Sequence, residues 1–311
     1  MPDSPKPSPG RLAIKVDVDT LMGLKQGVPA LLEILNNRGI RASFFVALGP
    51  DNSGRAIFRV FSQRGFWEKM WRTRAPAPYG LRTLLYGLLL PAPLICQAAG
   101  EVLPRVTAAG HELGLHGWDH VNWHDRLGKM TRETVAREVN WAQQAFINLM
   151  GHPARAYAAP GWQATLTSRE VLAEAGFLYA SDTRGTSPYL PRFGHRISSL
   201  LEIPTTLPTL DELLGFNGCT PEDFNALILH RLQTDKPQVL TIHAELEGGA
   251  FREAFARLLD RCLAKGVTFF RLEDWARELL TQPRALPSAP VFQGRLPGRA
   301  GTVTRQGVLE G

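Results

Sequence analysis

The feature that most constrains the fold is the regular alternation of strand-like and helix-like segments along the chain. Short β-branched and apolar runs fit strands, and the segments between them carry apolar residues at helical spacing. Strands are expected at residues 11–18, 41–48, 110–116, 155–159, 177–181, 200–204, 238–243 and 267–271. Helices are expected at residues 28–38, 131–150, 167–176, 221–233 and 250–265. This order predicts an α/β fold whose parallel sheet curls into a distorted (β/α) barrel.

The barrel domain is expected to span residues 11–280, with an insertion at 50–104 after the second strand. Both ends of the chain, 1–10 and 283–311, are rich in Pro or Gly and show little apolar periodicity. Such segments bury too little apolar surface to fold alone, so the sequence predicts two disordered tails.

Cysteine usage and the N-terminus predict a protein of the cytoplasm. The cysteines Cys96, Cys219 and Cys262 lie far apart, which is typical of isolated thiols in a reducing compartment. The first ten residues lack the apolar core of a secretory signal. The most apolar run, 84–96, is shorter than the ~20 residues that span a bilayer. A formal net charge of +6 favours an anionic partner.

Polar residues at two predicted strand ends suggest a metal site. Asp17 and Asp19 stand two apart at the end of the first strand, which places both carboxylates on one face. His116 and His120 follow the third strand. Two imidazoles and one carboxylate are a common ligand set for Zn²⁺, and also suit Co²⁺, Mn²⁺ or Fe²⁺. Asp19, His116 and His120 are therefore predicted ligands; the alternatives are turn aspartates and surface histidines.

Three further polar residues follow strands and are candidates for the same site. His243 ends the apolar strand 238–243, and it is predicted to be a general acid or a hydrogen-bonded core histidine. Asp182 follows the strand 177–181 and can orient an imidazole or cap a turn. Glu245 is a candidate for contact with a substrate hydroxyl or amine, or a solvated carboxylate.

Residues 55–82 combine basic and aromatic side chains. The segment contains Arg55, Arg59, Arg64, Lys69, Arg72, Arg74, Arg82, Phe58, Phe61, Phe66, Trp67, Trp71 and Tyr79. The apolar run 84–96 follows directly, a combination that suits an anionic membrane surface. A nucleic-acid groove needs no such apolar run, and an amphipathic helix packed on the barrel is the plainer alternative. Trp67, Trp71 and Arg72 are therefore predicted to contact lipid, and no nucleic-acid partner is expected.

Taken in order, these motifs resemble those of a known family. The patterns Asp-x-Asp, His-x-x-x-His and Leu-x-x-His occur at Asp17, at His116 and at His243. They are similar to the motifs of the polysaccharide deacetylases, the NodB-homology or carbohydrate esterase family 4 enzymes. The resemblance implies a divalent metal, most simply zinc, held by Asp19, His116 and His120. It also implies that Asp17 is the catalytic base and His243 the acid.

Several segments show a closer resemblance, to the deformylases of that family that act on a lipid-linked sugar. These segments are residues 47–55, 66–72, 158–162, 181–185, 206–215, 221–225 and 241–248. The resemblance implies hydrolysis of 4-deoxy-4-formamido-L-arabinose-phosphoundecaprenol to the 4-amino sugar and formate. It further implies a peripheral enzyme at the cytoplasmic face of the bacterial inner membrane. Its pathway would be lipid A modification and polymyxin resistance.

Two departures from the general family pattern stand out. The third motif has Ala158-Ala159-Pro160-Gly161 where the family has an Arg that orients the base, so another group must position Asp17. Gly117 stands where Ser or Thr is usual. Trp162 is predicted to shape the sugar pocket, or to belong to a plain turn. A soluble polysaccharide N-deacetylase and a non-catalytic membrane-binding module are the alternative functions.

Overall fold

The computed structural model describes residues 10–58, 83–232 and 236–309. Its strands, in chain order, are β1 (Arg11–Val18), β2 (Ser43–Val46), β3 (Glu112–Leu115), β4 (Ala156–Tyr157), β5 (Tyr179–Ala180), β6 (Leu190–Phe193), β7 (Arg196–Ile197), β8 (Leu201–Glu202), β9 (Gln238–His243), β10 (Thr268–Phe270), β11 (Ser288–Gly294) and β12 (Val303–Gln306). Its helices are α1 (Val28–Asn36), α2 (Cys96–Ala99), α3 (Leu103–Ala108), α4 (His120–Arg126), α5 (Arg132–Met150), α6 (Leu166–Glu174), α7 (Leu210–Leu213), α8 (Pro221–Arg231), α9 (Arg252–Ala264) and α10 (Leu272–Leu279).

A curled parallel sheet forms the centre of the fold. It has eight strands in the order β10-β1-β2-β3-β4-β5-β8, with β9 also paired to β1. Beyond β8 the chain turns towards β9, where the amides of Thr206 and Leu207 both donate to the carbonyl of Val239 at 3.1 Å. The strands alternate with helices that cover the outside of the sheet. The predicted distorted (β/α) barrel is confirmed.

Strand β1 lies between β9 on one side and β2 with β10 on the other. All of its residues except Arg11 are buried, which explains why its sequence is almost continuously apolar. Lys15 and Asp17 are the charged residues within this buried strand. A buried strand accommodates charged side chains only where they have partners, so Lys15 and Asp17 must both interact with groups inside the barrel.

Several predicted strands and helices begin and end within a few residues of the observed ones. Strands β1 and β9 cover their predicted ranges fully, and helix α5 begins after its predicted cap, Thr131. The Thr131 hydroxyl accepts a hydrogen bond from the Thr134 amide at 3.3 Å. Gly151 ends the helix with a left-handed φ of 77°. Most other strands are shorter than predicted, because only two to four residues of each pair with a neighbour.

A second sheet, which the sequence did not predict, includes part of the C-terminal region. Its order is β12-β11-β6-β7. The prediction of a disordered tail from 283 is therefore wrong for residues 283–309. Backbone pairing of β11 with β6 and β12 fixes the segment, although few of its residues are apolar and buried. Residues 1–9 and 310–311 lie outside the described residues.

No helix in the described part of the chain combines the length and apolar character needed to cross a bilayer.

A buried ion cluster joins helix α6 to the sheet. Arg169 is fully buried, and its Nη1 lies 2.9 Å from the Asp182 carboxylate and 2.7 Å from that of Glu202. Its Nη2 donates to the carbonyl of Leu200 at 2.7 Å. Two carboxylates buried this close together are stable only with a cation between them.

Replacing Arg169 by Met leaves these two carboxylates buried without their cation. We expect the free energy of unfolding to fall by about 3–5 kcal/mol, the usual cost of removing one partner from a buried ion pair. Urea denaturation followed by circular dichroism measures the change.

Arg132→Met is the matched control for this variant. Arg132 also bridges two carboxylates, those of Glu170 and Glu174, but 43% of its side chain is exposed. The surface variant should lose much less stability than Arg169→Met, because solvent screens exposed ion pairs. Equal losses of unfolding free energy in the two variants would show that burial does not determine how much such an arginine stabilises the fold.

Candidate active site

Five polar side chains meet at the carboxyl ends of the parallel strands. Asp17 and Asp19 come from the end of β1, His116 and His120 from the segment after β3, and His243 from the end of β9. In the sheet register Asp17 pairs with His243. This edge of a parallel barrel is where active sites form. These five residues, all of them singled out by the sequence, therefore lie at one site.

Asp19, His116 and His120 form a group that can hold a metal ion. One potential ligand atom from each residue lies within 4.8 Å of the others. The Nε2 atom of His116 is 3.2 Å from Asp19 Oδ1, and the Nε2 atom of His120 is 3.4 Å from Asp19 Oδ2. Two imidazole nitrogens and a carboxylate oxygen match the donor set of zinc and related divalent ions.

The backbone fixes the orientation of the His116 ring. Its Nδ1 lies 2.8 Å from the carbonyl oxygen of Ala158. Because a carbonyl oxygen only accepts, Nδ1 carries a proton, so in the neutral ring the lone pair of Nε2 faces Asp19. Asp19 Oδ1 is buried and has no hydrogen-bond partner among the described residues. A lone pair facing an unpartnered carboxylate oxygen fits a cation between them.

The electrostatics of Asp19 favour its ionised form. Burial alone raises the pKa of this carboxyl, but the nearby His120, His116 and His243 outweigh burial and hold the pKa well below its usual range. A carboxylate that stays ionised in a buried site is a strong ligand for a cation.

The loop between the two histidines depends on a glycine and a helix cap. Gly117 has a φ of +81°, and a Cβ atom at this position would lie 3.2 Å from Pro160 Cγ. This explains why Gly replaces the Ser or Thr usual at this position. Asp119 then caps α4 by accepting from the Asn122 amide at 2.9 Å, so His120 is the first residue of a helix.

His243 has the surroundings of a proton donor. Its Nδ1 lies 3.8 Å from the Asp211 carboxylate, and its ring meets that of Trp162 edge to face at 6.4 Å. Burial lowers the pKa of the imidazole, but Asp211, Asp19 and Asp17 together outweigh burial and raise the pKa to about 9. The ring is therefore protonated near neutral pH and can give up a proton to a leaving group.

The structure corrects the predicted role of Asp182. Its carboxylate accepts from the Ala159 amide at 2.9 Å and from Arg169 at 2.9 Å, rather than from an imidazole. It holds the segment whose Ala158 carbonyl orients His116. The carboxylate beside His243 is Asp211, which the sequence reasoning missed. The sequence pattern that could have indicated Asp211 is the capping box at the start of α7, because it places Asp211 in the first turn of that helix.

Glu245 is a buried support for the backbone at the candidate ligand Asp19, rather than a substrate contact or a solvated carboxylate, the two possibilities that the sequence left open. The side chain is 1% exposed. Its Oε1 accepts from the amides of Asp19 at 3.1 Å and Thr20 at 2.9 Å, and from the Thr20 hydroxyl at 2.7 Å. These three bonds fix the loop after β1, and with it the position of the Asp19 carboxylate.

The other residues predicted to contact a sugar or a lipid are Trp162, Trp67, Trp71 and Arg72. Trp162 is buried, with a φ of 53°, and its indole N–H donates to the Thr205 hydroxyl at 3.0 Å. It forms part of the wall beside His243, and its contact with a sugar stays a prediction. Trp67, Trp71 and Arg72 lie outside the described residues.

The described ends of the insertion are tied to the loops of the site. Asp51 accepts from the Leu21 amide at 2.9 Å, and Asn52 donates to Asp119 at 2.7 Å. The following described segment exposes several leucines on its surface: Leu85, Leu88, Leu89 and Leu94. Leu89 is 81% exposed. Backbone hydrogen bonds join this segment to the anchored one, from the Asp51 amide to the Pro93 carbonyl at 2.9 Å and from the Gly54 amide to the Tyr86 carbonyl at 3.0 Å.

Replacing His120 by Gln removes one of the three proposed ligands. We expect zinc affinity to fall at least about tenfold, in line with the 10–100-fold losses seen even for groups that only support a ligand. Isothermal titration with Zn²⁺ measures the affinity. His124→Gln, one helical turn further along, is the control and should bind zinc like the parent protein. Unchanged affinity in His120→Gln would exclude this ligand set.

Comparison with known proteins places the chain among amide hydrolases. A family model described as polysaccharide deacetylase matches residues 6–180. A relative from Shewanella sediminis, named "Probable 4-deoxy-4-formamido-L-arabinose-phosphoundecaprenol deformylase ArnD", is 37% identical over 259 residues, which is 83% of each chain. A relative of the same name from Wigglesworthia glossinidia brevipalpis is 32% identical over 92% of this chain and 98% of its own.

Solved structures share the fold at lower sequence identity. The "probable Polysaccharide deacetylase from Pseudomonas aeruginosa PAO1" superposes with a TM-score of 0.59 at 20% identity, covering 90% of this chain and 94% of its own. The family model covers more than half of the chain, and two relatives exceed 30% identity over most of it. The chain therefore belongs to the polysaccharide deacetylase family and is a hydrolase that cleaves an amide bond.

Proposed function

We propose that the protein removes the formyl group from 4-deoxy-4-formamido-L-arabinose-phosphoundecaprenol, releasing formate and the 4-amino sugar lipid. The observation that carries the proposal is the group of Asp19, His116 and His120 beside Asp17 and His243, in a chain 37% identical to a relative named for this reaction. The product would serve lipid A modification, and with it resistance to polymyxin.

The side chains of the site have separate roles, in metal binding and in proton transfer. A divalent ion held by Asp19, His116 and His120 would polarise the formamide carbonyl and acidify a water molecule. Asp17 is the base that takes the proton of the attacking water. Its Oδ1 is buried and has no hydrogen-bond partner among the described residues, so that oxygen is available for the proton.

His243 completes the reaction as the acid. When the carbon–nitrogen bond breaks, the sugar nitrogen leaves as an amine and must receive a proton. The imidazolium of His243, held in its charged form beside Asp211, donates that proton. Base and acid thus stand on neighbouring strands, β1 and β9, at paired positions.

Incubating the zinc-loaded protein with the formamido-arabinose lipid tests the proposal. Mass spectrometry should show a product lighter by one CO, and formate should accumulate in equal amount. N-acetylglucosamine oligomers, the substrate type of the soluble deacetylase alternative, should not be turned over. Turnover of these oligomers with an unchanged lipid would contradict the proposal.

In the same assay, Asp17→Asn and His243→Ala should each lower kcat by about 10²–10⁴-fold, the usual contribution of a positioned base or acid. Both variants should keep the fold, as judged by circular dichroism. His195→Ala removes an exposed histidine outside the site and serves as the control. Near-full activity in either site variant would refute its assigned role.

We further propose that the exposed leucine surface at residues 85–94 rests on the membrane that carries the substrate. A lipid-linked sugar can reach a water-filled site only if the enzyme lies against the bilayer. Leu89 is 81% exposed, and its segment is joined to the one that carries Asn52 by a hydrogen bond from the Gly54 amide to the Tyr86 carbonyl at 3.0 Å. Asn52 in turn donates to Asp119, beside His120. The net charge of +6 favours the anionic cytoplasmic face of the inner membrane.

Changing Leu88 and Leu89 together to Ser tests this membrane contact. Burying one leucine side chain is worth about 1.5–3 kcal/mol, so binding to anionic vesicles should fall about tenfold or more. Sedimentation with phosphatidylglycerol vesicles measures the binding. Ile197→Ser, which alters an exposed residue of β7 in the second sheet, is the control. Equal binding by the double variant and the parent protein would rule out this surface.

A further inference from the structure

Lys15 is a fully buried lysine on the strand that carries the catalytic carboxylates. It precedes Asp17 by two residues in β1, so the two side chains emerge from the same face of the strand. Its ammonium donates to the carbonyl oxygen of Ser181 at 3.0 Å. Its Nζ also lies 3.5 Å from Asp17 Oδ2.

Aromatic rings restrict where this ammonium can lie. Nζ is 5.6 Å from the centre of the Phe45 ring and 5.6 Å from that of Trp162. Ring faces attract a cation but cannot accept its hydrogen bonds as an oxygen does. Among the described contacts, the oxygen partners of the ammonium are therefore the Ser181 carbonyl and the Asp17 carboxylate.

Asp17 has few other groups to hold it in place. The motif that supplies an arginine to the base elsewhere in the family contains Ala158 and Ala159 here. The carboxylate is 3% exposed, and Oδ1 has no hydrogen-bond partner in the described part of the chain. A buried carboxylate with one paired oxygen and one unpaired oxygen has its orientation set by the paired one.

We propose that Lys15 is the positioning residue for the base Asp17. It lies two residues before Asp17 on the same strand and takes the place of the arginine that is missing here. Its ammonium holds Asp17 Oδ2, which leaves Oδ1 turned into the site to take the proton of the attacking water. The proposal rests on the proposed function, because it assumes that Asp17 is the base. The alternative is a purely structural lysine that ties β1 to the end of β5 through Ser181.

Kinetics of Lys15→Met, Lys15→Gln and Lys15→Arg separate the two roles. The neutral variants should lose about 10²-fold in kcat, the usual effect of misplacing a reacting group by about 1 Å. KM and zinc affinity should stay within about twofold of the parent, because Asp19, His116 and His120 are untouched. Lys15→Arg should recover at least about a tenth of the parent kcat, since it restores the cation.

Crystal structures of the parent and of Lys15→Met give a readout that needs no activity. The Asp17 carboxylate should rotate away from its parent orientation while Asp19 and the histidines stay in place. If the parent protein does not deformylate the lipid, the proposed function fails, and the Asp17 orientation still decides the role of Lys15. An unmoved carboxylate, an unchanged kcat, or failure of both neutral variants to fold would overturn the proposal.

Discussion

The structure depends on one electrostatic constraint, the concentration of charge at the buried ends of parallel strands. Asp17 lies near the end of the buried strand β1 and Asp19 directly follows that strand, and a low-dielectric interior tolerates such carboxylates only with compensation. The compensation differs between the two residues. Lys15 lies against Asp17, whereas two imidazoles face Asp19 in the geometry of a metal site.

The supporting residues make this arrangement rigid. Glu245 uses one carboxylate oxygen to hold the backbone of Asp19 and Thr20. The Ala158 carbonyl sets the tautomer of His116, and Asp182 anchors the neighbouring amide of Ala159. None of these groups needs to touch a substrate. Each removes a degree of freedom from a ligand, which is how a site holds the geometry that catalysis requires.

The sequence predicts the fold and the central residues well because both follow from strong local patterns. Strand β1 is mostly apolar, and a carboxylate at the end of such a strand indicates chemistry. The roles of Asp182 and Glu245 could not be predicted, because their partners are distant in sequence. Asp182 binds Arg169, and Glu245 binds Thr20 across most of the chain.

The second sheet escaped prediction for a different physical reason. Strands β11 and β12 have few buried apolar side chains, and they are ordered by backbone pairing of β11 with β6 and of β12 with β11. Pairing of this kind depends on the partner strand and leaves little periodicity in the sequence. The two-residue spacing of Lys15 and Asp17 indicates that both side chains lie on the same face of β1. The burial of Lys15 and its contact with Ser181, however, could be seen only in the folded barrel.

The proposed chemistry depends on the convergence of Asp19, His116 and His120 on one cation. A crystal of the zinc-loaded protein, measured on both sides of the zinc absorption edge, tests it most directly. We expect a single strong anomalous peak within about 2.0–2.2 Å of one oxygen of Asp19 and of the Nε2 atoms of His116 and His120. A peak bound by other residues, or no peak between these three side chains, would contradict it.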